Sequence, residues 1–192
     1  MAFPDRLRLP LSFDPALLER DLAGLDGWIA HFVRQNYSGD WSALPLRGPA
    51  GATQPIRAIY SDPAATEFED MPLLARCPNI RAALAHLECP LLAVRLMRLT
   101  PGSEIKEHHD HDLDAEQGTV RLHLPITTND GVRFEVNRRP VALEPGSLWY
   151  LRLSDPHRVA NRGTTDRVHV VIDARMNAWL ERMLTDAAAP AK

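Results

Sequence analysis

Lysine is almost missing from this chain of 192 residues: 20 of the 22 basic side chains are arginine, and only Lys106 and Lys192 are not. Base composition of the coding sequence gives such a bias a bland origin; its functional reading is that a few arginines clamp a carboxylate with their planar donor fork. Net charge is −3 and the isoelectric point is near 6.2, so there is no basic surplus for a phosphate backbone, and nucleic acid is excluded as a partner. Cysteine is limited to Cys77 and Cys89, each beside a proline, with neither C-x-x-C nor zinc-type spacing, and both are expected as reduced core residues. No apolar run approaches the roughly 18 residues of a membrane span, which excludes insertion into a bilayer. The N-terminal MAFPDRLRLP has Asp5 and two prolines where a secretory signal has its apolar stretch, so a cytoplasmic location is expected. Internal repeats and Gly/Ser linkers are absent, and 1–192 reads as a single domain. G-x-S-x-G, Walker, G-x-G-x-x-G and H-E-x-x-H patterns are absent too, which leaves hydrolase, nucleotide and zincin chemistry without support.

What is present changes character along the chain. Asp14-Pro15 makes an N-cap and first-turn pair, and Leu17, Leu18, Leu22 and Leu25 follow at helical spacing until Gly27. Further helices are predicted over 78–88 and 175–186, so residues 1–90 read as a helix-rich part packing on a sheet. Strands are predicted at 91–99, 104–111, 119–127, 132–137, 141–144, 147–153 and 167–173, punctuated by turns at Pro101-Gly102, Asn129-Asp130-Gly131 and Pro145-Gly146. Val120, Leu122, Leu124 and Ile126 share one strand face, with Arg121 and His123 on the other. Val168, Val170 and Ile172 likewise oppose Arg167 and His169. The predicted fold class is mainly β with flanking helices: a cupin-like jelly roll whose polar strand faces line a pocket. Its catalytic core is 91–173, followed by a C-terminal helix at 174–186 and a frayed tail at 187–192.

The densest chemistry lies in Glu107-His108-His109-Asp110-His111-Asp112. On an extended chain His108 and Asp110 share a face, and His109 and His111 share the other. The first pair would begin a two-histidine, one-carboxylate triad that leaves three adjacent metal positions open; the second would suit an all-histidine site. A solvated acidic loop is the third reading of the same residues. A distant ligand is available at His157, at a strand end, and Arg167 follows ten residues later. That pairing has a use, since an iron chelated by a 2-oxo acid needs a cation aligned with the far carboxylate, and arginine offers a bidentate one.

The segments RLTPGSEIKEHHDHDL, TVRLHLPITTN and PGSLWYLRLSDPHRVANRGTTDRVHVVID resemble the aspartyl/asparaginyl/prolyl β-hydroxylase family of 2-oxoglutarate oxygenases, over about residues 95–173, with a fainter echo from Tyr37 to Trp41 and on to Arg47. The resemblance implies a double-stranded β-helix, Fe(II) held by His108, Asp110 and His157, 2-oxoglutarate anchored by Arg167, and O2 as the second cosubstrate. It also implies a carboxylate partner, of cosubstrate or substrate, for Arg121. His123 is a further pocket residue and Trp41 a pocket wall in contact with substrate. Met97 stands where some relatives place a serine that touches the cosubstrate. Because Asp110 supplies a carboxylate that the animal aspartyl hydroxylases lack, the chain is more similar to the bacterial branch that hydroxylates free amino acids such as proline. With no helical-repeat domain to present a protein, the expected partner is a small molecule, an amino acid as substrate; oligomeric state is left open. Two other classes share some of these features. Pro156-His157 with Asn161 fits the second motif of cupins, though Asp110 departs from their H-x-H, and a metal-dependent sensor or binding module would also use a buried triad. Turnover of 2-oxoglutarate separates all three.

Overall fold

The computed structural model describes residues 3–60, 62 and 64–189. In chain order it forms β1 (Arg6–Ser12), α1 (Pro15–Arg20), β2 (Ile29–Ala30), β3 (Tyr37–Ser38), β4 (Trp41–Pro49), α2 (Pro55–Ile59), β5 (Phe68–Asp70), α3 (Pro78–Leu84), β6 (Leu91–Leu99) and β7 (Glu104–His108). There follow β8 (Thr119–Thr127), β9 (Val132–Val136), β10 (Arg139–Val141), β11 (Ser147–Leu151), β12 (His157–Asn161), β13 (Arg167–Arg175) and α4 (Ala178–Ala188). The larger sheet has eight strands in the order β1-β11-β8-β13-β6-β4-β2, with β5 paired to β4; the smaller has five, β10-β9-β12-β7-β3. All the pairings are antiparallel, and two facing sheets of this kind are the jelly roll that the alternation predicted. Among the described residues no helix is long and apolar enough to cross a membrane.

Residues 1–90 differ from the helix-rich expectation. They supply β1 and the nine-residue β4, which pair with β11 and β6 of the larger sheet. Pro45 and Pro49 disguise β4, since proline removes a ladder donor; the register shift between Pro45 and Arg47 is the bulge that accommodates the first of them. The first helix stops at Arg20 although apolar spacing continues to Leu25. Asp21 ends it because its carboxylate is drawn across to α3, accepting from the Ile80 amide and Asn79 Nδ2, each at 2.7 Å. The third predicted helix begins later, at Ala178, where the Asn177 side chain caps the Leu180 amide at 2.9 Å. Ala187 and Ala188 still belong to α4, and residues 190–192 of the expected frayed tail lie outside the described residues. Cys77 and Cys89 are free thiols, the first buried and the second half-buried.

Strand alternation divides the interior in two. Val94 and Leu96 of β6, Val120, Leu122, Leu124 and Ile126 of β8, and Val168, Val170 and Ile172 of β13 pack in one apolar layer with Leu18, Ile80, Leu84, Leu180 and Leu184 of the helices. The opposite faces of the same strands carry Arg95 and Met97, Arg121 and His123, and Arg167, His169 and Asp173. They meet a second apolar cluster that includes Ile105, Phe134, Val136 and Val159 of the smaller sheet. The polar pocket is therefore a consequence of period two on three adjacent strands. Asn161, the last residue of β12, is fully buried and meets its amide's hydrogen-bonding needs within the chain. Its Nδ2 donates to the carbonyls of Leu99 and Thr165, both at 2.9 Å, and its Oδ1 accepts from Gly163 N at 3.1 Å. These bonds shape the turn that delivers Arg167 to β13. Asn161→Ala should lower the unfolding free energy by about 1–3 kcal/mol, because it orphans buried backbone groups. Urea denaturation of the two proteins measures it, and an unchanged midpoint would remove this clamp from the account.

Candidate metal centre and its cavity

His108, the last residue of β7, and His157, the first of β12, are cross-strand partners, which brings their rings to 4.3 Å between centroids. Asp110 lies just beyond β7, its amide donating to the Leu153 carbonyl at 2.8 Å. One ligand atom from each of His108, Asp110 and His157 falls within 4.8 Å of the others. The predicted strand over 104–111 ends early, at His108, so Asp110 joins the group from a turn rather than from the shared face of an extended chain. Between the two histidine pairings left open by the sequence, the structure assembles the first. His109 and His111 sit at the cavity rim with rings 6.0 Å apart, outside the cluster.

Both imidazoles are oriented by main-chain carbonyls. His108 Nδ1 lies 2.7 Å from the Lys106 carbonyl and His157 Nδ1 lies 3.0 Å from the Asp155 carbonyl. A carbonyl only accepts, so both Nδ1 atoms donate, and His108 Nε2 faces Asp110 Oδ1 at 3.7 Å. Burial pushes the His157 pKa down to about 4, partly opposed by the Asp110 charge, which keeps the ring neutral as a metal requires. Burial pushes the Asp110 carboxyl up, but Arg121, His157 and His108 outweigh it, and the net shift is downward. Among the described residues this is the one group of three or more such side chains with metal-holding geometry.

Beside the triad is a cavity of about 610 Å³, whose lining includes Trp41, Arg95, Arg121, His123, Phe134 and Arg167. All four arginine and histidine positions read from the two R-x-H strands face the interior, yet they meet different fates. Arg121 was expected to be free for a ligand carboxylate; instead its Nε and Nη2 bind Asp173 at 2.6 and 3.1 Å and its Nη1 binds Asp110 at 2.5 Å. Glu135, also buried, pairs with Arg158 at 2.8 Å. Arg167 is more deeply buried, and its hydrogen-bond partner among the described residues is the ring of His169, at 2.8 Å from Nη2, with Phe134 beneath the guanidinium at 5.6 Å. Desolvation alone pulls its pKa down to about 9, so it stays charged at neutral pH without an opposite charge beside it. Burial holds His123 and His169 far below the ordinary histidine value, and Arg167 adds to it, so both are neutral. Met97 is buried on the cavity wall.

Three contributors carry no local sequence signal. His31 stacks on Trp41 at 3.6 Å and 12°, placed there because its amide bonds the Trp41 carbonyl at 2.8 Å. Arg95 pairs with Asp173 at the back of the pocket. Trp41 Nε1 and Arg95 Nε are buried donors with no acceptor among the described residues. Burial lowers the His31 pKa to about 3, with the Arg95 and Arg121 charges adding to it. A histidine that stays neutral when folded loses stability once the unfolded chain begins to protonate, as pH falls below about 6.5, at up to about 1.4 kcal/mol per pH unit. His31→Phe retains the ring stack and removes the titration. Its unfolding free energy should therefore fall less steeply than that of the parent between pH 6.5 and 4, and equal slopes in pH-dependent urea titrations would contradict a neutral His31.

Comparison with known proteins follows the geometry. Residues 25–176 match the sequence profile described as aspartyl/asparaginyl beta-hydroxylase. L-proline cis-4-hydroxylase of Rhizobium meliloti (strain 1021) is 28% identical over 187 residues, covering 94% of this chain; the chain spans 64% of that relative's length. Among solved structures, a Pseudomonas putida prolyl-4-hydroxylase superposes with a TM-score of 0.52 at 15% identity, over 91% of this chain and 94% of its own. An oxidoreductase of the 2OG-Fe(II) oxygenase family from Burkholderia pseudomallei gives 0.51 at 15% identity, over 84% and 79%. At such identities the two structures speak for the fold.

Proposed function

We propose that this chain, which belongs to the aspartyl/asparaginyl β-hydroxylase family, is an Fe(II)- and 2-oxoglutarate-dependent hydroxylase of a free amino acid or another small carboxylate. The observation that carries the reading is Arg167, a buried guanidinium that has no carboxylate partner among the described residues and lies in the same cavity as a His-Asp-His cluster. A buried cation left unneutralised is costly unless a ligand completes it, and a guanidinium fits a carboxylate bidentately. The chemistry of the donor set agrees, since two imidazoles and one carboxylate suit a divalent iron and leave positions open. His108 and His157 would contribute Nε2 and Asp110 a carboxylate oxygen, while Arg167 would hold the far carboxylate of 2-oxoglutarate.

When bound, Fe(II) supplies activation of O2, coupled to decarboxylation of 2-oxoglutarate to succinate and CO2 with insertion of one oxygen atom into a C–H bond. The chain's own part is to bind, orient and exclude water. Phe134 and Val171 on the cavity wall keep the space around Arg167 apolar, which strengthens the charge interaction expected there. On the substrate side the His31–Trp41 stack forms a flat wall, and the unpartnered donors Trp41 Nε1 and Arg95 Nε call for an acceptor such as a carboxylate. His123 lines the same space as a neutral contact. An amino acid close to proline, the substrate in the name of the Rhizobium relative, has the size and charge for this wall.

The reading is tested by loading the protein with Fe(II) without air, then supplying O2, 2-oxoglutarate and a panel of amino acids. Succinate should form in step with a hydroxylated amino acid, and turnover that ignores 2-oxoglutarate would favour a cupin-type metalloenzyme instead. Arg167→Leu should raise the 2-oxoglutarate requirement on the order of 10–100-fold, the loss of a charged hydrogen-bonded pair worth about 1.5–3 kcal/mol, with metal affinity nearly unchanged. An unaltered requirement would take away the main support for the cosubstrate.

A further inference from the structure

Arg121 and Asp173 are direct cross-strand partners on β8 and β13. Their contact is a bidentate fork, with Nε to Oδ1 at 2.6 Å and Nη2 to Oδ2 at 3.1 Å. The remaining guanidinium nitrogen, Nη1, reaches Oδ2 of Asp110 at 2.5 Å, while the other oxygen of that carboxylate, Oδ1, faces His108 Nε2 at 3.7 Å. Arg95 grips Asp173 from β6 and is itself tied to the Ile59 carbonyl at 3.1 Å. Asp173 is wholly buried and anchored on a central strand, whereas Asp110 sits in a turn where one main-chain bond, to Leu153, fixes its backbone. The direction of the Asp110 carboxylate is therefore set from the side-chain end.

We propose that Asp173, acting through Arg121, is a positioning residue for the metal-ligand carboxylate of Asp110: the fork holds Oδ2 and leaves Oδ1 aimed between the two histidines. This rests on the reading of His108, Asp110 and His157 as metal ligands. Two opposed effects operate in such a chain. The guanidinium orients the carboxylate, which favours a metal; its charge also repels one, and Asp173 offsets that repulsion. Orientation is a property of the fork, repulsion a property of the charge, so substitutions separate them. Partners that orient a metal ligand typically contribute about 10–100-fold in metal affinity.

The probe is Co(II), titrated into the full chain and followed by calorimetry and by its ligand-field absorption, without any need for turnover. Asp173→Asn and Arg121→Lys, the second of which keeps the charge and loses the fork, should each weaken Co(II) binding on the order of 10–100-fold and alter the absorption. Repeated in an Asp110→Ala background, Arg121→Lys should change affinity by less than about 3-fold, because the charge is kept and there is then no carboxylate to position. Should Asp173→Asn fail to fold, Arg121→Lys carries the comparison. Parent-like Co(II) affinity in Arg121→Lys, or a loss as large without Asp110 as with it, overturns the proposal. A parent protein that does not bind Co(II), or an Asp110→Ala protein that binds it equally well, overturns the metal-centre reading and the positioning role together.

Discussion

Arg167 is a cation sealed between two sheets with no anion beside it among the described residues, and the rest of the site is arranged around that imbalance. Several kcal/mol are lost when an ion is buried unpaired. The two-sheet core supplies the compensation, since β13 contributes Val168, Val170 and Ile172 to the apolar layer on one face while Arg167 and Asp173 occupy the other. Neutral His169 accepts from the guanidinium without neutralising it, and Asn161 shapes the turn from which the strand starts.

A second arginine on the neighbouring strand shows the opposite solution. Arg121 is held by two carboxylates, which raise its pKa against the pull of burial, and Arg167 has none, so burial alone lowers it. The same residue type, in the same interior, is tied by two carboxylates in one case and, among the described residues, hydrogen-bonded to a neutral ring in the other. The His108, Asp110 and His157 cluster is joined to Arg121 through Asp110 and shares a cavity with Arg167.

The sequence made the catalytic half of the fold legible because β8 and β13 alternate strictly, with branched apolar residues on one face and R-x-H on the other. It concealed β4 behind two prolines and offered helical spacing past Arg20 where Asp21 is claimed by α3. His108, Asp110 and His157 could be singled out because ligand types cluster locally and recur at a strand end. His31, Arg95 and the role of Asp173 could not, since each acquires meaning only through pairing with a distant strand. The expectation of a free Arg121 failed for that reason. Its partner lies 52 residues on, and only the β8–β13 register, which sets Asp173 opposite Arg121, reveals it.

The central claim, that an unneutralised Arg167 receives the far carboxylate of a 2-oxo diacid, is tested most directly by what the ligand itself contributes. Calorimetry on the Co(II)-loaded protein, without air, should find 2-oxoglutarate bound on the order of 10–100-fold more tightly than 2-oxopentanoate, which keeps the metal-chelating end and lacks the far carboxylate. Equal affinity for the two ligands would show that Arg167 serves some other purpose.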